Sequence, residues 1–244
     1  MEKIAVSQLT KLYKSQKGIK EFNLTLNQGD IVLLLGPNGA GKTTAMSSIL
    51  GLLKPQKGTI SYNNQLVQDH LTEFLNSVGA MVSTPVFYDY MTGYENLALY
   101  ATFYTGIDEA RIIEVLDLVE LTDAKDQKVA KYSTGMKQSL DFARAILHRP
   151  KFLFLDEPFN GMDIEKKVAL RDHLLELQTK ESVGIILSSH MVGDLEKIGN
   201  RVIIVYDGKV LFDGTMQSAT AENDSLESFY LEKIHEYKSI KAGA

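Results

Sequence analysis

The 244-residue sequence predicts an α/β fold in which short buried strands alternate with helices around a phosphate-binding turn. Three observations predict it. Fully apolar runs recur at Ile31–Leu35, Phe152–Leu155 and Val202–Tyr206, the pattern of strands covered on both faces. Apolar residues at three- and four-residue steps fill intervals such as 108–121 and 134–147, as helices require. A glycine-rich turn, Gly36–Thr44, lies between the strand Ile31–Leu35 and a helix that runs on to Leu50, the context a phosphate loop needs.

From Ile4 to Leu26 apolar and polar residues alternate (Ile4, Val6, then Phe22, Leu24, Leu26), which predicts antiparallel strands. Asn27-Gln28-Gly29-Asp30 then turns the chain into Ile31–Leu35. Tyr13, between those strands, suits either a stacking partner for a base or a half-exposed strand tyrosine. In Gly36-Pro37-Asn38-Gly39-Ala40-Gly41-Lys42-Thr43-Thr44, the glycines Gly36, Gly39 and Gly41 let successive N–H groups converge on a phosphate. Lys42 adds a point charge near the outer phosphates, the Thr43 hydroxyl is placed to ligate Mg2+, and the following helix turns its positive end to the anion.

Lys54–Gly58 reads as a turn, Gly58–Tyr62 as an edge strand and Val78–Val82 as a buried strand. Seven aromatics follow within eighteen residues: Phe87, Tyr88, Tyr90, Tyr94, Tyr100, Phe103 and Tyr104. On a helix over 94–104, Tyr94, Leu97, Ala98, Ala101 and Tyr104 share one face, so Tyr100 and Phe103 point elsewhere. The cluster is either the packing of a small helical subdomain or a docking surface, since aromatics anchor interfaces. Residues 108–121 form an amphipathic helix on Ile112, Val115, Leu116 and Val119. Ser133 is an N-cap candidate, so Ser133-Thr134-Gly135-Met136 opens a second helix with a hydroxyl and a glycine available to an anion.

The strand Phe152–Leu155 delivers two consecutive carboxylates, Asp156 and Glu157. Beside a phosphate loop, one can hold Mg2+ and the other can face an attacking water. As adjacent strand residues they are expected to point to opposite sides. Asn160–Asp163 turns into another helix, and the buried strand 184–189 ends at His190, where strand C-termini of a doubly wound sheet meet ligands. A lone histidine is otherwise a structural residue. Val202–Tyr206 and Lys209–Phe212, joined at Asp207-Gly208, form a closing hairpin, and 225–240 a last helix.

Composition narrows the function. A net charge of −5 argues against a nucleic-acid or anionic-lipid footprint. With no cysteine there is no disulfide framework and no thiolate chemistry, which suits a reducing compartment. No apolar run approaches the ~20 residues of a membrane span, and the N-terminus has no signal-peptide pattern, so any membrane role is expected to come through a partner.

Taken in order, the Gly36–Thr44 loop, Ser133-Thr134-Gly135-Met136, the Asp156-Glu157 strand, Asp163 and His190 resemble the ATP-binding cassette (ABC) family over nearly the whole chain. The resemblance implies a P-loop NTPase with a mixed central sheet, an antiparallel β edge subdomain and a helical signature subdomain. It implies an ATPase domain over 1–218, with the helical subdomain inserted at about 85–150, and a C-terminal helix and tail over 219–244. ATP and Mg2+ would be bound, with Tyr13 stacking on adenine and Asp156 on the metal side. Glu157 would be the general base for water, and His190 a switch contacting the γ-phosphate. Head-to-tail dimerisation, with Asp163 in the dimer loop, would put Ser133 and Gly135 of one copy on the nucleotide held by the other, whether a homodimer or a homologue. The partners implied are that second ATP-binding subunit and an integral membrane permease, which places the chain in the cytoplasm, peripheral to the inner face of the membrane.

The pattern departs from the family at Ser83, where a metal-reaching glutamine is usual, and at Thr134 and Met136, where glycine and glutamine are commonest. A serine is too short for that reach, so water would intervene or coupling to the membrane subunit would be looser. The stretches Val78–Met81, Pro85–Tyr88 and Thr92–Leu97 look most like exporters that protect bacteria from bacitracin and lantibiotics. The alternatives are a soluble non-transport cassette ATPase, and a nucleotide-gated binding module with weak hydrolysis.

Overall fold

The apolar runs leave no face that tolerates water, so they must sit in the middle of a sheet covered on both sides. The computed structural model, which describes residues 2–82, 84, 86–190, 192, 195–221 and 224–242, places them there. Along the chain come β1 (Lys3–Leu12), β2 (Gly18–Asn27), β3 (Ile31–Leu35), α1 (Lys42–Ile49), β4 (Lys57–Tyr62), β5 (Gln65–Leu66), α2 (Leu71–Asn76) and β6 (Val78–Met81). Then follow α3 (Gly93–Ala101), α4 (Glu109–Leu118), α5 (Thr134–Ile146), β7 (Phe152–Asp156), α6 (Ile164–Glu181) and β8 (Gly184–Ser189). The last elements are β9 (Arg201–Tyr206), β10 (Lys209–Thr215), α7 (Met216–Thr220) and α8 (Leu226–Ala242).

Six strands form a mixed sheet in the order β10-β9-β3-β8-β7-β6, parallel except for β10. The registers Leu35 with Ser189, Asp156 with Ser188 and Met81 with Leu155 bring the C-terminal ends of β3, β8, β7 and β6 to one edge. The alternating strands make a separate antiparallel sheet, β2-β1-β4-β5, whose inward residues Ile4, Val6, Phe22, Leu24 and Leu26 pack with α1 on one face of the central sheet. The opposite face is covered by residues of α3 to α6 and of α8. Asp207 and Gly208 both take positive φ, 51° and 74°, so the hairpin closes on a turn whose twist matches its strands.

Several local expectations are revised. The helix expected over 94–104 starts at Gly93, fixed by a capping box between Thr92 and Glu95, and ends at Ala101. Tyr104 lies beyond it, stacked on His148 with ring centroids 4.1 Å apart. The helix expected over 108–121 is capped by the Asp108 side chain and stops at Leu118. Two short helices, α2 and α7, carried no periodic signal because each buries a single side chain, Phe74 and Ala219. Gly79 on β6 admits close packing of α5, since a Cβ there would overlap the Ala145 carbonyl oxygen. No helix among the described residues is long and apolar enough to cross a membrane.

Candidate active site

The Gly36–Thr44 loop leaves β3 and enters α1 at Lys42. Glycine is required at Gly36, where a Cβ would collide with the Val205 carbonyl oxygen of β9, and at Gly41, whose φ of 111° is closed to other residues. Lys42 is 5% exposed and its ammonium donates to the carbonyls of Gly36 (2.6 Å) and Pro37 (3.4 Å). A groove of about 350 Å3 runs along this loop, lined also by Tyr13, Ser15, Lys17, Gly18 and Glu157. Tyr13 does not sit in a strand: it follows β1 in the turn toward β2, its N–H donating to the Lys17 carbonyl (2.8 Å), with its side chain half exposed at the groove.

The carboxylates converge on the loop instead of parting. Asp156 is the last residue of β7, and Thr43 Oγ1 donates to its Oδ2 at 2.5 Å. Glu157 lies past the strand with a φ of 53°, so the alternation expected of strand neighbours does not apply to it. That left-handed turn swings its side chain to Lys42, with Nζ 3.2 Å from Oε1, and to His190, whose Nδ1 is 2.7 Å from Oε2. Oε1 is buried and accepts no aligned hydrogen bond, so its contact with Lys42 is purely ionic. An ionised carboxylate only accepts, which makes Nδ1 the protonated nitrogen of His190.

Ser188, which the sequence pattern did not single out, ties these groups together. Its Oγ donates to Asp156 Oδ1 and accepts from the Glu157 N–H at 3.0 Å, and its carbonyl accepts from the same N–H at 3.3 Å. No local sequence signal marks it, since a serine in an apolar strand is ordinary until the fold buries its hydroxyl against Asp156. Thr43 Oγ1 and Asp156 Oδ2 lie side by side at 2.5 Å, two oxygens of the donor chemistry that a hard cation such as Mg2+ takes when phosphate supplies the other ligands. No cluster of three or more His, Cys, Asp or Glu exists among the described residues.

Ser133 caps α5, its Oγ accepting from the Met136 N–H at 3.2 Å, and Gln138 Nε2 donates to the Pro158 carbonyl at 3.1 Å. Thr134 is exposed beside it, Gly135 is buried, and none of Ser133 to Met136 lines the phosphate-loop groove. Asp163 caps α6, accepting from the Lys166 N–H at 2.9 Å, and is exposed. Ser83 lies outside the described residues.

The ABC transporter family model matches residues 19–160. An uncharacterised ABC transporter ATP-binding protein of Bacillus subtilis, YdbJ, is 41% identical over 212 residues, 86% of this chain and 68% of its own length. The bacitracin transport ATP-binding protein BcrA of Bacillus licheniformis is 39% identical over 208 residues, 85% of this chain and 68% of its own. Among solved structures, the ATP-binding subunit of an ABC transporter superposes with a TM-score of 0.86 at 30% identity, covering 95% of this chain and 99% of that one. A dimeric post-hydrolysis state of the cassette MJ0796, bound to ADP and phosphate, gives 0.78 at 25% identity, covering 87% and 98%.

Proposed function

This chain belongs to the ABC transporter family of ATP-binding ATPase subunits, and from that premise we propose that it hydrolyses Mg-ATP between two copies to drive a separate exporter permease. One observation carries the reading: the ends of β3, β7 and β8 bring Lys42, Thr43, Asp156, Glu157 and His190 together beside a glycine-rich helix start. The loop N–H groups and Lys42 hold the β- and γ-phosphates, and Tyr13 stacks on the adenine. Bound through Thr43 and Asp156, Mg2+ supplies charge neutralisation on the phosphates. Glu157 takes the proton of the attacking water. Lys42 at Oε1 and His190 at Oε2 hold that carboxylate in place, and His190 stands on the γ-phosphate side of it.

The distance of Ser133–Met136 from the phosphate-loop groove supports their use by a second copy, with Asp163 at the junction. Within the chain, 1–218 would be the ATPase unit, with its helical insertion at about 85–150, and 219–244 a C-terminal helix and tail. BcrA is named for bacitracin transport, which supports efflux of peptide antibiotics as the task, with a permease in the membrane and this subunit on its inner face.

The permease dock is assigned to the aromatic segment. Tyr88 and Tyr90 are exposed and in edge contact at 5.7 Å, on a loop pinned by Asn96 through both Tyr88 backbone groups. Asp89 pairs with Lys137 of α5 at 3.0 Å, so force on this loop reaches the helix capped by Ser133. The test of the whole reading is Glu157→Gln. It is expected to lower turnover by about 10²-fold or more while Mg-ATP still binds and a dimer accumulates. Unchanged turnover would remove Glu157 as the base.

A further inference from the structure

A second cavity, of about 630 Å3, lies between the end of β8, the first half of α6 and the start of α8; Glu157, Ser188 and His190 form its edge toward the catalytic groups, and no residue of the Gly36–Thr44 loop lines it. Phe159, Val168, Val192, Leu195, Tyr230 and Leu231 give it a mainly apolar lining. Its α8 wall is built in, not loosely laid on. The Leu226 N–H donates to Glu196 Oε2 at 3.2 Å, Phe229 packs edge-on against Phe212 of β10 at 4.7 Å, and Lys241 pairs with Asp207 at 2.7 Å. A mainly apolar concavity of several hundred Å3 with a few converging polar groups is the ordinary form of a small-molecule site.

The charges at the cavity are unequally served. Glu157 is already held between Lys42 and His190, and the Arg171 guanidinium donates twice to Asp172. Glu227 stands exposed at the mouth. Lys167, one helical turn before Arg171, is half-buried on the cavity wall, and its ammonium makes no hydrogen bond or ion pair among the described residues. An ammonium partly removed from water without a counter-charge is an incomplete arrangement that an anion would complete. The spacing of Lys167 and Arg171 on one face of α6 disfavours a cationic ligand. A polyphosphate has no glycine cradle here, and a metal has no cluster of ligating side chains among the described residues.

We infer that this cavity is a second ligand site, for a small amphipathic monoanion that sets one carboxylate or sulfonate on Lys167 and its apolar body against Val168, Leu195 and Leu231. The phosphate loop takes no part in this site and Lys167 no part in the nucleotide reading, so each can fail without the other.

Anilinonaphthalene sulfonate, an apolar body with one anionic group, is the probe, titrated by fluorescence into the full chain. One saturable site per chain is expected, with decanoate displacing the probe competitively. Lys167→Gln is expected to weaken probe binding by about fivefold or more, the loss of one charged contact. Val168→Trp, which fills the cavity, is expected to weaken it by about tenfold or more, as large side chains forced into a preformed space do. Labelled ADP reports the phosphate loop separately, and its affinity is expected to stay within about twofold of wild type in both variants, because neither residue touches that loop. Lys167→Gln keeps the test decisive if Val168→Trp does not fold. The site is overturned if the folded chain shows no saturable probe binding, if decanoate does not displace the probe, or if Lys167→Gln binds it like wild type.

Discussion

Glu157 is held between Lys42, 3.2 Å from its Oε1, and His190, 2.7 Å from its Oε2. The three residues come from the first turn of α1 and from the segments just past β7 and β8, so the contact exists only because parallel strands end together. A carboxylate fixed at both oxygens loses little orientational freedom when a water is placed before it.

Groups that act as a unit are non-additive on removal. His190→Ala is therefore expected to cut turnover by about 10²-fold with nucleotide affinity nearly unchanged, and Glu157→Gln with His190→Ala to be little worse than the poorer single variant. Phosphate-release kinetics on the three proteins check this. A multiplicative double variant would mean that His190 does not work through Glu157.

Use of Ser133 by the opposite copy has a mixing test. Lys42→Ala and Ser133→Arg chains are each expected to be inactive alone. In an equal mixture half of the dimers pair one of each, and one of the two sites in such a dimer is intact, so about a quarter of wild-type sites return in a two-fold assembly. Turnover that stays at the level of the separate proteins would place both motifs at a site within one chain.

His148 predicts a pH dependence of stability. Burial, aided by Arg144 and Arg111 nearby, holds its pKa down to about 4. The unfolded chain takes up the proton first, so the folded state keeps its full stability above about pH 6.5 and loses it as pH falls toward 4. Allowing for partial solvent access, the loss is about 2 kcal/mol. Urea denaturation at about pH 7.5 and pH 4.5 is expected to show wild type losing more stability than His148→Gln across that interval. Equal losses would mean that another group titrates.

Gly79→Ala probes the seam between β6 and α5. The added methyl meets the Ala145 carbonyl oxygen and, at 2.7 Å, Leu153 Cδ2. Overpacking against backbone is expected to cost about 1–3 kcal/mol, read as a lower Tm. Because α5 carries Ser133 at its start, turnover is expected to fall with it.

Local chemistry was legible. The Gly36–Thr44 loop announces itself because its donors are consecutive backbone groups between a strand and a helix that are also adjacent in sequence. The cap at Ser133 is read in the same way, from a side chain that accepts from an N–H three residues on, whereas Asp163, read only as part of a turn, proves to cap α6 in the same manner. Ser188 was not legible, since its partners lie 31 and 32 positions away and nothing local distinguishes it from a strand serine. The left-handed Glu157 was misread because residue alternation holds only inside the strand it had just left. Tyr104 was assigned to a helix face because periodicity continues past Ala101, whereas its ring is better covered by stacking on His148.

The sequence by itself determined which segments would be buried strands, roughly where the longer helices lie, and which residue types stand ready for a phosphate, because hydrophobic period and backbone capping are short-range. Only the tertiary structure decided that Asp156 and Glu157 share one target, that Ser188 joins them, and that α8 closes a second cavity against α6. Those relations depend on the order and register of strands far apart in the chain, which no local pattern encodes.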